Sequence, residues 1–107
     1  MIKEKAIEQA LAGIDSDFIK ALTEPARLEI LKLLILHGSL DVKTLADKMP
    51  QDRSVISRHL IMMEKCGLLS ADKKGRHMFY EINTQSALEK SQQLVESFRQ
   101  CAQAGCC

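Results

Sequence analysis

The stretch DRSVISRHLIMMEKCGLLSADKKGRHMFYEIN, residues 52–83, changes its period part-way along. Up to Cys66 the apolar residues fall at helical spacing, so that Val55, Ile56, Leu60 and Met63 can face a core, and Asp52 stands where a helix cap belongs. After Gly67 the spacing shortens to about two. There LLSAD and HMFYEIN flank KKGR, a turn whose Gly75 can take a positive φ. The reading is a helix followed by a β-hairpin with a basic tip. The helix is also oddly furnished at its start, because Arg53, Ser54, Ser57, Arg58 and His59 crowd donors into its first two turns. A helix that only fills space has no use for them.

The same block holds the chain's positive charge. The 107 residues carry a net charge of only +1, with 46% apolar and 27% charged residues, the composition of an ordinary globular chain. The charge is unevenly spread: residues 1–24 sum to −2, 25–52 to zero, 53–80 to +4 and 81–107 to −1. Distribution matters more than the total for a polyanionic partner, although a solvated face is the plainer reading of any charge cluster.

Working upstream, Pro50 forces a turn before the helix, and DVKTLADKM reads as a short helix capped by Asp41. Before it, EPARLEILKLLILHG places Pro25 in a first helical turn and Gly38 at the end, with Leu28, Ile30, Leu31, Leu34 and Ile35 as a broad buried face. From Ile2 to Leu22 an apolar stripe runs through Ile7, Ala10, Leu11, Ile14 and Phe18, with a break at Gly13 and a cap at Asp15 or Ser16. Downstream, Thr84 to about Gln103 reads as a helix with Leu88, Leu94, Val95, Phe98, Cys101 and Ala102 on one side. A domain this small has no core left for the two terminal stripes, so a second copy of the chain is their expected partner.

The order helix, tight turn, helix, two-stranded wing predicts a mainly α fold with a small β-hairpin, a winged helix-turn-helix that dimerises through its terminal helices. We expect one domain over residues 1–107: dimerisation helices over 1–22, a helical core with the helix-turn-helix over 25–67, the wing over 68–83, and a dimerisation helix with a cysteine-containing tail over 84–107. In such a motif the second helix enters the DNA major groove amino end first, where dipole and free N–H groups favour phosphate. Arg53, Ser54, Ser57, Arg58 and His59, with Lys73, Lys74 and Arg76 of the wing, are the expected DNA-binding residues. For His59 a solvent-facing or half-buried structural place competes with a phosphate contact. Arg27 is expected to support the scaffold or pair with Glu24 rather than touch a base, and neither residue is a proposed metal ligand.

LTEPARLEILKLL at 22–34, DRSVISRHLIMMEKCGLL at 52–69 and KKGRHMFYEIN at 73–83 together resemble the ArsR/SmtB winged-helix repressors of bacteria. The resemblance spans roughly residues 18–83. It implies a homodimeric repressor that binds double-stranded operator DNA and is released by an inducer. The family's effector sites mostly fail to carry over. Where its Cys-x-Cys pair would lie, SLDVKTLADK offers Asp41 and Lys43; where its last helix carries Asp-x-His and a later His, this chain has Ser86, Glu89, Gln92 and Gln93. A zinc, nickel or cobalt site of that kind is not expected.

What remains is CAQAGCC, with Cys101, Cys106 and Cys107 within seven residues and Gly105 to let the chain fold back. Soft thiolates select thiophilic ions, so the expected metal-site residues are these three. Members of the resembled family that sense trivalent arsenic or antimony use three cysteines, so the resemblance implies As(III) or Sb(III) as the inducer. An unselected, frayed tail is the bland alternative. Cys66, at a helix end, is read as a buried structural cysteine. Oxidants or reactive sulfur species acting on the same thiols are a rival inducer class, and an inducer-independent regulator of the same fold is another. From a different class, a thiol-based metal carrier would use CAQAGCC but leave the basic block unexplained. An enzyme is not expected, because the His, Ser and Cys residues form no nucleophile–base set and no glycine-rich phosphate loop occurs. The charged start MIKEKAIEQALAG reads against a signal peptide, and no apolar run approaches a membrane span. The expected setting is the cytoplasm, with reduced cysteines.

Overall fold

The computed structural model describes residues 2–103, with side chains from Glu4 onward. The order is α1 (Ile2–Ala12), α2 (Ser16–Ala21), α3 (Pro25–His37), β1 (Leu40–Asp41), α4 (Val42–Asp47), α5 (Arg53–Lys65), β2 (Leu69–Lys74), β3 (His77–Ile82) and α6 (Thr84–Gln103). This is a winged helix. Short polar side chains start several of the helices: Asp15 Oδ1 accepts from Phe18 N–H at 3.1 Å, Asp41 Oδ1 from Thr44 N–H at 3.0 Å, and Asn83 Oδ1 from Ser86 N–H at 3.2 Å. Asp52 stands at the cap position of α5 with extended backbone, but its carboxylate makes no capping hydrogen bond, contrary to expectation.

One core holds the winged-helix unit together. Ile30 and Leu34 of α3, Leu45 of α4, Ile56, Leu60 and Met63 of α5, and Leu69 of β2 are its largest fully buried side chains. On α3 the buried face is Ala26, Ile30, Leu33 and Leu34, a correction to the expected one. Leu28 and Ile35 are 48% and 71% exposed, and Leu31 is only half-buried. The physical reason is that α3 is apolar nearly all round, so its periodicity cannot choose a face.

The wing is a three-stranded antiparallel sheet in the order β1-β3-β2, one strand more than the hairpin expected. Leu40 and Asp41 pair with Tyr80 and Phe79, while Leu69 to Lys74 pair with Ile82 to His77. A strand of two residues leaves no alternation to detect. Gly75 takes the first place of the two-residue turn with φ 62°, the position that a type II′ hairpin turn reserves for glycine.

α5 ends in a Schellman motif: Leu68 N–H reaches the Met63 carbonyl at 3.0 Å and Gly67 N–H the Glu64 carbonyl at 3.1 Å. Gly67 has φ 85°. A Cβ there would also lie 2.6 Å from Ser86 Oγ and 2.9 Å from Lys90 Cε, so the start of α6 packs directly on this glycine.

α1 and α6 pack on each other through small side chains. Ala10, Ser97 and Cys101 are buried, and a Cβ on Gly13 would sit 3.3 Å from Ser97 Oγ. The α6 stripe is therefore split: Cys101 is buried and Leu94 half-buried, but Leu88, Val95 and Phe98 are exposed, Phe98 to 61%, and so is Ala102. The body is long, 55 × 24 × 20 Å, with a radius of gyration of 17.0 Å. A compact domain of this length has about 13 Å. Among the described residues no helix is long and apolar enough to cross a membrane.

Gly67→Ala combines a strained backbone with a clash and should cost about 1–3 kcal/mol. Gly75→Ala, where a Cβ meets nothing within 4 Å, should suffer the backbone strain alone. Thermal denaturation should then show a larger fall in Tm for Gly67→Ala than for Gly75→Ala; equal falls would mean that α6 yields to the added methyl.

Candidate nucleic-acid interface

The donors of α5 are set by the burial of its opposite side. With Ile56, Leu60 and Met63 locked in the core, Arg53, Ser54, Ser57 and Arg58 fall on the outward arc at spacings i, i+1, i+4 and i+5. Arg53, Ser54 and Arg58 are exposed and Ser57 is half-buried. Because Asp52 does not cap with its side chain, no such bond competes for the first-turn N–H groups, and the positive end of the helix dipole coincides with Arg53.

His59 lies on a different flank of α5. It is half-buried and turned toward α3, where its Nδ1 accepts from Arg27 Nε at 3.2 Å. Of the structural places expected for this histidine, solvent-facing or half-buried, it takes the half-buried one. Burial first, and the Arg27 guanidinium second, hold the His59 pKa below its ordinary 6.5; Arg58 adds to this and Glu24 opposes it. Arg27 supports the scaffold as expected: its Nη1 donates to the Lys20 carbonyl at 2.7 Å. Its bonds run to Lys20 and His59, and Glu24 takes none of them.

On the wing Lys73, Lys74 and Arg76 are all exposed at or beside the turn. Lys74 Nζ lies 5.3 Å from the centre of the Phe79 ring, which draws its stem along the sheet by a cation–π contact. His77 meets Phe79 edge to face, with centroids 6.5 Å apart, and its Nδ1 lies 3.4 Å from Asp41 Oδ2. Asp41 therefore serves two elements, as the cap of α4 and as an anchor for β3. Its carboxyl is held below the usual range, first by the Thr44 side chain and then by Thr44 N–H, with the nearby His77 adding to both. Sequence reasoning missed the Arg27–His59 bond, the Asp41–His77 contact and the Lys74–Phe79 contact. Their partners are 32, 36 and 5 residues apart in the chain, and no local pattern marks them.

The expected thiol site is described only in part. Cys101 is buried where α6 packs on α1; Cys106 and Cys107 lie outside the described residues. Among the described residues no three His, Cys, Asp or Glu side chains converge as a metal site. Cys66 is buried as expected, its Sγ donating to the Met63 carbonyl at 3.3 Å.

Comparison with known proteins agrees with this geometry. The model of the bacterial regulatory protein arsR family matches residues 24–71, from the cap of α3 into β2 of the wing. An uncharacterised HTH-type transcriptional regulator of Methanocaldococcus jannaschii is 39% identical over 67 residues, which cover 63% of this chain and 75% of that protein. Among solved structures, a possible transcriptional regulator for arsenical resistance superposes with a TM-score of 0.67 at 34% identity, covering 77% of this chain and 83% of the other. The AntR antimony-specific transcriptional repressor superposes with a TM-score of 0.59 at 27% identity, covering 78% of each. The members of this family are DNA-binding transcriptional regulators rather than enzymes. With its uncapped, arginine-led helix between a three-helix core and a basic wing, the chain belongs to the ArsR family of winged-helix transcriptional regulators.

Proposed function

We propose that the chain is a homodimeric repressor that reads double-stranded operator DNA with the outward arc of α5 and is released by an inducer. The observation that carries this reading is the arrangement of α5: its core-facing side is fully apolar, and its other side presents Arg53, Ser54, Ser57 and Arg58 around an uncapped amino end. Arginine can hold guanine O6 and N7 together, and the serines can reach base edges or phosphates. Lys73, Lys74 and Arg76 of the wing serve as phosphate contacts. His59 is a lesser contributor to this surface, since Arg27 already occupies its Nδ1.

The dimer is proposed from the exposed apolar residues of the two terminal helices, Leu11 on α1 and Leu88, Val95 and Phe98 on α6. Two copies joined there present two reading helices to two half-sites.

For the inducer we propose a thiophilic metalloid, As(III) or Sb(III), held by Cys101 with Cys106 and Cys107. The chain's structural relatives include the AntR antimony-specific transcriptional repressor and a possible transcriptional regulator for arsenical resistance. Cys101 lies in the seam between the two helices assigned to the dimer, so a ligand that draws on it acts where the spacing of the two reading helices is set. Such a protein acts in the cytoplasm, where its thiols stay reduced.

Electrophoretic mobility of DNA from upstream of the gene, with and without arsenite, antimonite and a persulfide donor, tests the whole reading. Arg53→Ala should cost about 1–3 kcal/mol at the cognate site and relax base preference. Removing Lys73, Lys74 or Arg76 should instead weaken specific and nonspecific binding alike and flatten the salt dependence. An Arg53→Ala protein with unchanged affinity and preference would remove its base-reading role.

Phe98→Glu should dissociate the dimer and lower DNA affinity with it; a variant that stays dimeric at sedimentation equilibrium would place the interface elsewhere. The triple variant Cys101→Ser, Cys106→Ser, Cys107→Ser should bind DNA normally and ignore arsenite. Release of the triple variant by arsenite would assign sensing to another part of the chain, and release of the wild type by the persulfide donor alone would assign the thiols to reactive sulfur.

A further inference from the structure

Arg27 stands in the first turn of α3, and its guanidinium reaches in two directions. Nη1 donates to the Lys20 carbonyl, at the end of α2, and Nε donates to Nδ1 of His59 on α5. One planar side chain thereby joins three helices. Only a neutral imidazole has a lone pair to accept with, and if Nδ1 accepts, the ring proton must sit on Nε2. The bond therefore selects both a charge state and a tautomer.

The charged groups around His59 favour the same state. Arg27 from α3 and Arg58 from α5 itself both disfavour an imidazolium, and Glu24 at the cap of α3 is the one opposing charge. From α2 comes the Lys20 carbonyl, which accepts from Arg27, while Asp17 lines a cavity with Arg58 and Lys65. Protonating His59 would break its bond to Arg27 and set three cations side by side on the flank of the helix that carries Arg53 and Arg58. Since the folded arrangement prefers neutral His59, its contribution is complete above the ordinary histidine pKa of 6.5 and is lost as the pH falls below it.

We propose, resting on the DNA-reading role assigned above to α5, that Arg27 is a positioning residue for that helix and that its bond to neutral His59 makes sequence-specific DNA binding weaken on acidification. This sign is opposite to the ordinary one. A histidine that merely adds charge near phosphate strengthens DNA binding as the pH falls. The positioning acts on sequence-specific binding, because a displaced α5 still offers its positive charge to any duplex.

The chain has three histidines, so the reference protein carries His37→Gln and His77→Gln and keeps only His59. The probes are a duplex enriched by the wild type from a random-sequence pool and a scrambled duplex of the same composition, followed by fluorescence anisotropy at constant salt. Between about pH 7.5 and about pH 5.5, affinity for the enriched duplex should fall roughly tenfold, as for loss of one hydrogen bond to a charged group, while the scrambled duplex should hold or bind more tightly. His59→Gln keeps an acceptor that does not titrate; whatever its affinity at neutral pH, it should lose the pH dependence. Arg27→Lys should bind the enriched duplex more weakly at neutral pH and also lose the pH dependence.

Imidazole nitrogen shifts of the free protein should report the Nε2–H tautomer and a titration below 6.5, both altered by Arg27→Lys. Specific affinity that rises on acidification, a pH dependence that survives His59→Gln, or an Nδ1–H tautomer would each overturn the inference. Failure of the wild type to enrich any sequence would overturn the DNA-reading role and the inference with it. The nitrogen shifts, which need no DNA, tell that failure apart from a failure of the Arg27–His59 bond.

Discussion

The seating of α5 in the core is the constraint on which the rest depends. Ile56, Leu60 and Met63 share one buried cluster with Phe18 of α2, Ile30 and Leu34 of α3, Leu45 of α4 and Leu69 of β2, so three helices and the wing all contribute to holding one helix at a fixed rotation. Each fully buried aliphatic side chain of this size is worth roughly 1.5–3 kcal/mol. Turning α5 by one residue, about 100°, would exchange those side chains for arginine and serine. The helix cannot choose another face to present. Its far end is equally determined, because the Schellman hydrogen bonds close it at Gly67 and hand the chain directly to β2.

The two terminal helices are attached to this unit by few fastenings. Asp15, the cap of α2, forms a salt bridge with Lys90 of α6, and each partner shifts the other toward its charged form: the hydrogen bond lowers the Asp15 pKa and raises that of Lys90. Gly67 admits Ser86 and Lys90 at close range, and Asn83 caps α6 as it leaves the sheet. Beyond Lys90, α6 packs on α1, where a Cβ on Gly13 would sit 3.3 Å from Ser97 Oγ.

Much of the fold was legible in the sequence because the decisive signals were local. The change of period at Gly67, the caps at Asp15 and Asp41, Pro25 opening α3 and the glycine in the wing turn all act within a few residues. The arc of Arg53, Ser54, Ser57 and Arg58 followed from the apolar spacing of the same helix. What escaped depended on partners distant in the chain or on a choice among equals. The buried face of α3 is set by what packs on it, since Leu28 and Ile35 are as apolar as Ile30 and Leu34. β1 exists because Tyr80 and Phe79 offer it an edge, and the place of His59 because Arg27 lies opposite. Asp52 is a good cap by residue type, yet capping needs a rotamer as well as a residue.

The length of the body also decides which solution measurements can be trusted. A 12.0 kDa chain stretched to 55 Å drags more water and tumbles less evenly than a sphere of its mass, faster about its long axis than across it. A single copy would therefore leave a gel-filtration column ahead of globular standards of equal mass, and would relax in NMR as though it were heavier. Early elution alone says only that the particle is long. Mass has to be weighed by a method indifferent to friction, such as sedimentation equilibrium or light scattering, before elongation is counted as partnership.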